Sequence, residues 1–129
     1  MRKTERLAYT AGIVDGEGCT CITFTSGKRL CMSVSVTSTD EWLCQWLKMQ
    51  YGGSVHLMKT QKPNWKHGHR WWLASKQASE FLRLILPYLN LKRPQAELAI
   101  SFQQNRRGKD KVISEAQRIL MRSYNKKGV

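Results

Sequence analysis

An acidic corner lies near the start of this sequence, where Asp15 and Glu17 flank Gly16 and a second glycine, Gly18, follows. The preceding residues have helical periodicity, so the two carboxylates are expected at the C-terminal end of a helix. That end carries a partial negative charge, and carboxylates placed there are disfavoured unless a cation compensates them. Because Mg²⁺ commonly takes one or two carboxylates, with water and phosphate oxygens completing its shell, the corner predicts a divalent-metal site.

The helix that leads into this corner has small residues on one face. Thr4 is its predicted N-cap, and the helix is expected over about residues 5–15, with Ala8 and Gly12 four positions apart and Ala11 beside them. A glycine inside a helix costs about 1 kcal/mol relative to alanine, so it usually has a packing reason. The helix packs either on its own sheet or against a second copy of the chain. A second copy would bring two carboxylates together, which suits a two-metal displacement at phosphate.

Composition indicates a strongly basic globular protein. The chain has 129 residues, is 41% hydrophobic and carries a formal net charge of +13, with a pI of about 10.0. This length suits a single domain over 1–129, with a predicted core over about 5–104 and a helical extension over about 105–129. A folded domain this basic most often binds a polyanion, with nucleic acid ahead of membrane. A basic protein without such a partner is the alternative.

No apolar run reaches the roughly 18 residues that a membrane span needs. Residues 1–6 lead directly into the first predicted helix and leave no room for a signal peptide. The protein is therefore expected to act inside the cell, in the compartment where it is made, whether a prokaryotic cytoplasm or an organelle.

Four cysteines, Cys19, Cys21, Cys31 and Cys44, occur without a CxxC pair. Cys19 and Cys21 would share one face of a strand, with Cys31 on the neighbouring strand and His56 as a fourth zinc ligand. Structural zinc sites usually have other spacings, so free, reduced thiols are the favoured interpretation.

Two hairpins and several helices follow the acidic corner. Residues 19–25 and 30–37 alternate between apolar side chains such as Ile22 and Phe24 and small polar ones. Ser38 or Thr39 is expected to cap a second helix that ends at Gly52-Gly53. A second hairpin over about 54–74 precedes helices over about 75–88, near 96–102 and over about 112–124. This order predicts an α+β fold with a four-stranded antiparallel sheet and helices on one face.

The other sheet face would be free, and it mixes hydroxyl groups with cations while acidic residues are nearly absent. Such side chains bind phosphate and base edges, and a β-ribbon fits the DNA major groove, so this face predicts a nucleic-acid interface. Burial beneath another helix layer is the alternative, but it would favour apolar residues. The residues assigned to DNA binding are Cys21, Thr23, Thr25, Lys28, Arg29, Ser33, Ser35, Thr37, Ser38, His56, Lys59, Arg70 and Trp72.

Lys92 follows the third predicted helix, within the segment Leu91-Lys92-Arg93-Pro94. Beside a metal site, a lysine can polarise water or stabilise the charge of a transition state. Taken alone, it is more simply a solvated surface lysine.

Residues 7–18 closely resemble the LAGLIDADG motif of homing endonucleases. Ala11-Gly12 matches the central pair of the motif, and Asp15-Gly16-Glu17-Gly18 matches its acid-Gly-acid-Gly ending. Segments 36–40, 52–55 and 81–95 are similar to the same family in the same order, so the resemblance covers about residues 5–104. It implies the αββαββα homing-endonuclease fold with a saddle-shaped sheet on DNA. Since the motif occurs once, it also implies a homodimer joined through Ala8, Ala11 and Gly12.

The resemblance also implies a catalytic site. It assigns Glu17 as the metal-binding catalytic acid, the Gly16 carbonyl as a second metal ligand, and Lys92 as the catalytic lysine. Asp15 matches the other motif acid and is assigned mainly to structure, with metal binding as a lesser role. The implied reaction is Mg²⁺- or Mn²⁺-dependent hydrolysis of both strands of a pseudo-palindromic DNA target, leaving 3′ overhangs. Ser38 and Asp40 stand where the family often has Gln, Asn or Arg.

Two other functions remain open at this point. A member of the same fold that does not cut DNA would be an RNA maturase or a DNA-binding regulator, although it would need neither Glu17 nor Lys92. A basic RNA-binding protein, such as a ribosomal one, is the second alternative. Use of Asp15 and Glu17 as a glycosidase pair is disfavoured by the net charge, and neither a small-molecule substrate nor a membrane is expected as a partner.

Overall fold

The computed structural model describes residues 1–25, 29–60, 66–105 and 111–127. Within them, five α-helices accompany one antiparallel sheet of four strands, which confirms the predicted α+β class and element order. The helices are α1 (Lys3–Glu17), α2 (Glu41–Tyr51), α3 (Ser75–Ile85), α4 (Arg93–Asn105) and α5 (Lys111–Lys127). The strands are β1 (Gly18–Phe24), β2 (Leu30–Ser38), β3 (Ser54–Met58) and β4 (Gly68–Ala74).

The sheet has the strand order β1-β2-β4-β3, so the strands of each hairpin are neighbours and β2 joins the hairpins through β4. Alternation along β2 buries Met32, Val34 and Val36 on the helix side, while Ser33 and Ser35 remain half-buried on the other. This is the predicted pattern, and it arises because successive strand residues point to opposite faces. β4 continues it by burying Trp71 and Leu73.

Phe24 lies at the end of the apolar face of β1. It is in phase with the buried Ile22, as predicted, but its side chain is 55% exposed at the end of the strand. The guanidinium of Arg118, on α5, lies 5.2 Å from the centre of its ring. A cation from the helix layer therefore packs on the ring at the edge of the core.

An aromatic cluster fills the core beneath the second hairpin. Trp71 is fully buried, lies 5.1 Å from Phe81 between ring centroids, and donates an indole hydrogen bond of 2.8 Å to the Gly52 carbonyl. Tyr51 packs edge-on to Phe81, and its hydroxyl lies 2.7 Å from Thr10 Oγ1 on α1. The cluster therefore connects the N-terminal helix to the end of α2 and to β4.

Two predicted helix caps were wrong. Arg2, not Thr4, occupies the N-cap of α1, and it makes no side-chain capping bond. The N-cap of α2 is Asp40, whose carboxylate accepts a hydrogen bond from Trp42 N at 3.0 Å. Ser38 instead accepts a hydrogen bond from the backbone N–H of Asp40, so it supports the cap from two positions before it.

The two C-terminal helices complete the layer on the sheet. α3 ends at Ile85 and continues as a 3₁₀ turn over Leu86–Tyr88 that contains Pro87, earlier than predicted. α5 packs on α4 and β1, and Asn125 Nδ2 donates to the Thr20 carbonyl of β1 at 3.0 Å.

None of the described helices is long and apolar enough to cross a membrane. Part of the predicted helical extension, residues 106–110 and 128–129, lies outside the described residues.

The turn between α2 and β3 provides a test of the fold. Gly53 has a φ of +91°, and a Cβ added there would lie 2.5 Å from the Trp72 backbone oxygen. We expect Gly53→Ala to lower the free energy of unfolding by more than about 2 kcal/mol, because positive φ and a backbone clash coincide. Urea denaturation measures this. Gly68→Ala is the matched control, since its Cβ would make only ordinary contacts of 3.7 Å, and equal losses in both variants would contradict the explanation.

Candidate active site and nucleic-acid interface

The C-terminal turn of α1 delivers two carboxylates with different surroundings. α1 extends to Glu17, two residues beyond the predicted end, and β1 begins at the next residue. Gly18 permits this sharp change because a Cβ there would lie 2.7 Å from the Val14 carbonyl oxygen. Glu17 and Gly16 are exposed, whereas Asp15 is half-buried. The helix therefore presents Glu17 and the backbone at Gly16 at its outer end.

Asp15 connects α1 to the segment before α4. One carboxylate oxygen accepts a hydrogen bond from the backbone N–H of Asn90 at 3.0 Å, and the other accepts from Lys92 N–H at 2.9 Å. The Lys92 carbonyl in turn accepts the first bond of α4, from Ala96 N at 3.0 Å. The Lys92 backbone is thus held on both sides. Both Asp15 oxygens are occupied, which favours the structural role over metal binding.

Positive charge converges on the start of β1, directly after Glu17. Lys92 and Arg70 both act on Cys19 electrostatically and lower the pKa of its thiol, after a hydrogen bond from Cys21, which is the largest cause; burial opposes them. The resulting pKa of Cys19 is about 6, and the pKa of its partner Cys21 is raised. Lys92 and Arg70 therefore both favour negative charge at Cys19, two positions after Glu17.

The donors at this helix end fit a hard divalent cation only in part. Among the described residues, Glu17 has no hydrogen-bond or ion-pair partner, and its exposed carboxylate stands at the negative end of a helix. The Gly16 carbonyl adds a second oxygen of the kind that Mg²⁺ accepts. No group of three or more Cys, His, Asp or Glu side chains gathers within the described part of the chain. A metal here would therefore need oxygens from water, from a phosphate or from another chain.

The free face of the sheet contains most of the predicted DNA-binding residues. Register places Thr37 opposite Arg70, which is opposite His56, and it places Ser35 opposite Trp72 in the adjacent row. Arg70 Nε donates to Thr37 Oγ1 at 3.5 Å, so the guanidinium lies along the sheet. The exposed members of the predicted set are Thr23, Thr25, Arg29, Thr37, His56, Lys59, Arg70 and Trp72, and the half-buried ones are Cys21, Ser33, Ser35 and Ser38. Lys28 lies outside the described residues.

Three residues differ from these assignments. Ser38 lies on the helix side of β2, two residues after Val36, which is on the same side. Its hydroxyl accepts a hydrogen bond from the Asp40 backbone at the start of α2. It is therefore not on the free face of the sheet. Cys19 and Ser54 lie on the free face but were not assigned to it. Ser54 pairs with Trp72 in register and its hydroxyl lies 3.0 Å from His56 Nε2. Residues two apart on a strand share a face, so Cys19 shares the face of Cys21 and Ser54 shares the face of His56. This signal was present in the sequence.

The predicted interface on α1 divides between two faces. Ala8 and Gly12 are exposed, and Gly16 extends their line by one more turn. Nothing lies within 4 Å of a Cβ added at Gly12 or Gly16, so this line of small residues is open. Ala11 is fully buried in the core of its own chain, and so it is not available to a partner. Helical periodicity explains this, because Ala11 shares the face of Leu7 and Val14.

The double hydrogen bond of Asp15 gives a direct prediction. We expect Asp15→Asn to lower the free energy of unfolding by about 2 kcal/mol, because one amide oxygen cannot replace two charged acceptors. Hydrogen exchange at the Asn90 and Lys92 amides should accelerate together. Asp40→Asn is the control, since asparagine caps helices as well as aspartate does. Unchanged exchange at both amides would contradict the role assigned to Asp15.

Comparison with known proteins bears on the fold. No protein-family profile and no curated protein sequence matches the chain. Among solved structures, the archaeal intron-encoded homing endonuclease I-Vdi141I, complexed with DNA, is similar over 95% of this chain and 86% of its own, with 13% identity and a TM-score of 0.78. The homing endonuclease I-CvuI, solved with a DNA target in the presence of magnesium, is 22% identical over 95% of this chain and 82% of its own, with a TM-score of 0.75.

The LAGLIDADG homing endonuclease I-GzeII, in complex with its DNA target, is 17% identical over 90% of this chain but only 43% of its own, with a TM-score of 0.68. This chain therefore corresponds to less than half of that protein but to most of the other two. The chain has the fold of the LAGLIDADG homing endonucleases and the length of the single-motif type.

Proposed function

We propose that this protein is a site-specific, divalent-metal-dependent endonuclease that cuts both strands of DNA as a homodimer. The observation that carries the proposal is the difference between the surroundings of the two carboxylates at the end of α1. Asp15 is fully engaged in holding the Lys92 backbone, while Glu17 is left exposed and unpaired among the described residues. A protein that only binds nucleic acid gains nothing from an unpaired carboxylate beside its binding face, because that carboxylate repels phosphate.

In this function, Glu17 and the Gly16 carbonyl hold Mg²⁺ or Mn²⁺. The bound metal supplies Lewis-acid stabilisation of the reacting phosphate. Lys92, whose backbone is fixed by Asp15 and by the first turn of α4, stabilises developing negative charge or orients the attacking water. Arg70 and the hydroxyl groups of the sheet face position the duplex through phosphate and base contacts. Ser38 lies on the helix side of the sheet and takes no part in positioning the duplex.

Dimerisation is proposed through the open line of Ala8, Gly12 and Gly16 on α1. Two such helices can approach closely because neither presents a large side chain there. An isologous pair places two Glu17 side chains near the same axis, which supplies the additional oxygens that one chain lacks. The target is then pseudo-palindromic, and cleavage across the minor groove leaves 3′ overhangs. Such an enzyme would serve intron homing and would act inside the cell, where its DNA target is.

Substitution of Glu17 tests the chemistry. We expect Glu17→Gln to lose at least about 100-fold in cleavage rate and to keep DNA binding, because the amide cannot supply a charged oxygen to the metal. The measurement is cleavage selection on a randomised duplex library in Mg²⁺, followed by kinetics on the selected site. Glu5→Gln is the matched control on the same helix, because among the described residues its exposed carboxylate pairs only with Arg2.

Each result of this selection decides between functions. One pseudo-palindromic site cut by the wild type and by Glu5→Gln supports the nuclease. Specific retention of DNA without cutting by any variant would favour a regulator or an RNA maturase, and would contradict the nuclease. Equal cutting by the wild type and Glu17→Gln would exclude Glu17 as the metal ligand.

Gly12→Leu tests the dimer. The monomer has room for the new side chain, since nothing lies within 4 Å of the Cβ position, but a second helix could no longer approach. We expect sedimentation velocity to show a monomer and cleavage of the selected site to fall at least about 100-fold, with folding retained by circular dichroism. Lys3→Leu, on the opposite side of the same helix, should leave the dimer intact. A dimeric Gly12→Leu variant would place the interface elsewhere.

A further inference from the structure

Two thiols stand together on the free face of the sheet, immediately after the acidic corner. Cys19 Sγ and Cys21 Sγ are 3.2 Å apart, although the residues are separated along β1 by Thr20. Cys19 is exposed and Cys21 is half-buried, so a small reagent can reach the pair from the DNA-facing side. No disulfide is formed in the structure, and nothing in the proposed cleavage mechanism uses either sulfur.

The other two cysteines are placed differently. Cys44 is buried, and its thiol donates to the carbonyls of His69 and Val36 at 3.4 and 3.8 Å. Cys31 lies 3.3 Å from the hydroxyl of Ser75. Among the described cysteines, only Cys19 and Cys21 therefore face a second sulfur. The chain itself thus contains controls for general thiol reactivity.

Strand geometry determines what an S–S bond between these residues would be. At a rise of about 3.3 Å per residue, positions two apart on a strand are about 6.6 Å apart at Cα, close to the upper limit for a disulfide. Closing the bond would require the side chains to lean together further and β1 to bend locally. A disulfide under such strain and exposed to solvent is readily reduced again. This geometry favours a reversible bond over a permanent one.

We propose that Cys19 and Cys21 form a dithiol modification site, oxidised reversibly to an intrachain disulfide by low-molecular-weight disulfides. The Cys19 sulfur, having released its proton to solvent, attacks a disulfide RSSR; the S–S bond breaks, one RS⁻ leaves and a mixed disulfide forms. The Cys21 sulfur then loses its proton and attacks the Cys19 sulfur, which releases the second RS⁻. Both leaving thiolates take up protons, so two protein thiols are oxidised while RSSR is reduced to two RSH.

The position of the pair gives this oxidation a consequence for DNA. Cys19 follows Glu17 by two residues and is opposite Ser35 in register, while Cys21 is opposite Ser33. Bending β1 here would displace the part of the sheet face nearest the acidic corner and change the path of the strand that leaves Glu17. We expect affinity for the selected DNA site to fall by about tenfold on oxidation, comparable to one mismatched contact. This effect, unlike the oxidation itself, rests on the proposed function.

The test begins without DNA. The folded protein is incubated with oxidised glutathione, its remaining thiols are alkylated, and the peptides are analysed by mass spectrometry. We expect an internal Cys19–Cys21 disulfide with Cys44 and Cys31 still alkylatable, and full return to the dithiol on addition of dithiothreitol. Cys21→Ser should instead retain glutathione on Cys19, because the resolving sulfur is gone, while Cys31→Ser should behave as the wild type.

Three results would overturn the dithiol site: persistent glutathione on Cys19 in the wild type, no oxidation at Cys19, or preferential oxidation at Cys31 or Cys44. DNA affinity is then measured on the oxidised and re-reduced protein. A disulfide that forms but leaves affinity unchanged would refute the coupling to DNA alone. Reduced protein that forms the disulfide yet has no DNA site would refute the proposed function and leave the dithiol site standing.

Discussion

The carboxylate of Asp15 is the interaction on which the rest of the candidate site depends. It links the end of α1 to the backbone of Asn90 and Lys92, more than 70 residues later in the chain. Hydrogen bonds from backbone amides to a charged acceptor are stronger than those between neutral groups, and two of them share one side chain here. They hold the end of α1 beside the Lys92 backbone, which directly precedes α4.

α1 performs two structural tasks on two faces. Leu7, Ala11 and Val14 bury one face in the chain's own core, while Ala8, Gly12 and Gly16 leave the opposite side open. The core face determines where the helix lies relative to the sheet, and so it determines where Glu17 emerges beside the strands. A helix used only for packing would gain stability from larger side chains at the open positions, since glycine inside a helix costs about 1 kcal/mol. Retaining glycine there is consistent with a surface shaped for close approach.

Sequence patterns predicted the larger features because those features depend on periodicity. Alternation along residues 30–37 located β2 and its two faces, and helical spacing located every helix. Prediction was wrong where a single competing contact decides the outcome. The carboxylate of Asp40, rather than the hydroxyl of Ser38, accepts the hydrogen bond that caps α2. Ala11 belongs to the core because a rotation of about 100° per residue turns it away from Gly12 and onto the face of Leu7 and Val14, which the small-residue pattern did not indicate.

The site itself could be predicted only by resemblance, because its parts are separate in sequence. Nothing in local periodicity indicates that residues 90–92 meet residue 15. Charge explains why the two carboxylates differ. The negative helix end would be unfavourable for two free carboxylates, but only one is left free, because two backbone amides donate hydrogen bonds to Asp15. A chain of net charge +13 can therefore keep one exposed carboxylate beside a sheet face rich in hydroxyl groups and cations, and under the proposed function a metal ion there would allow the carboxylate and a phosphate to meet.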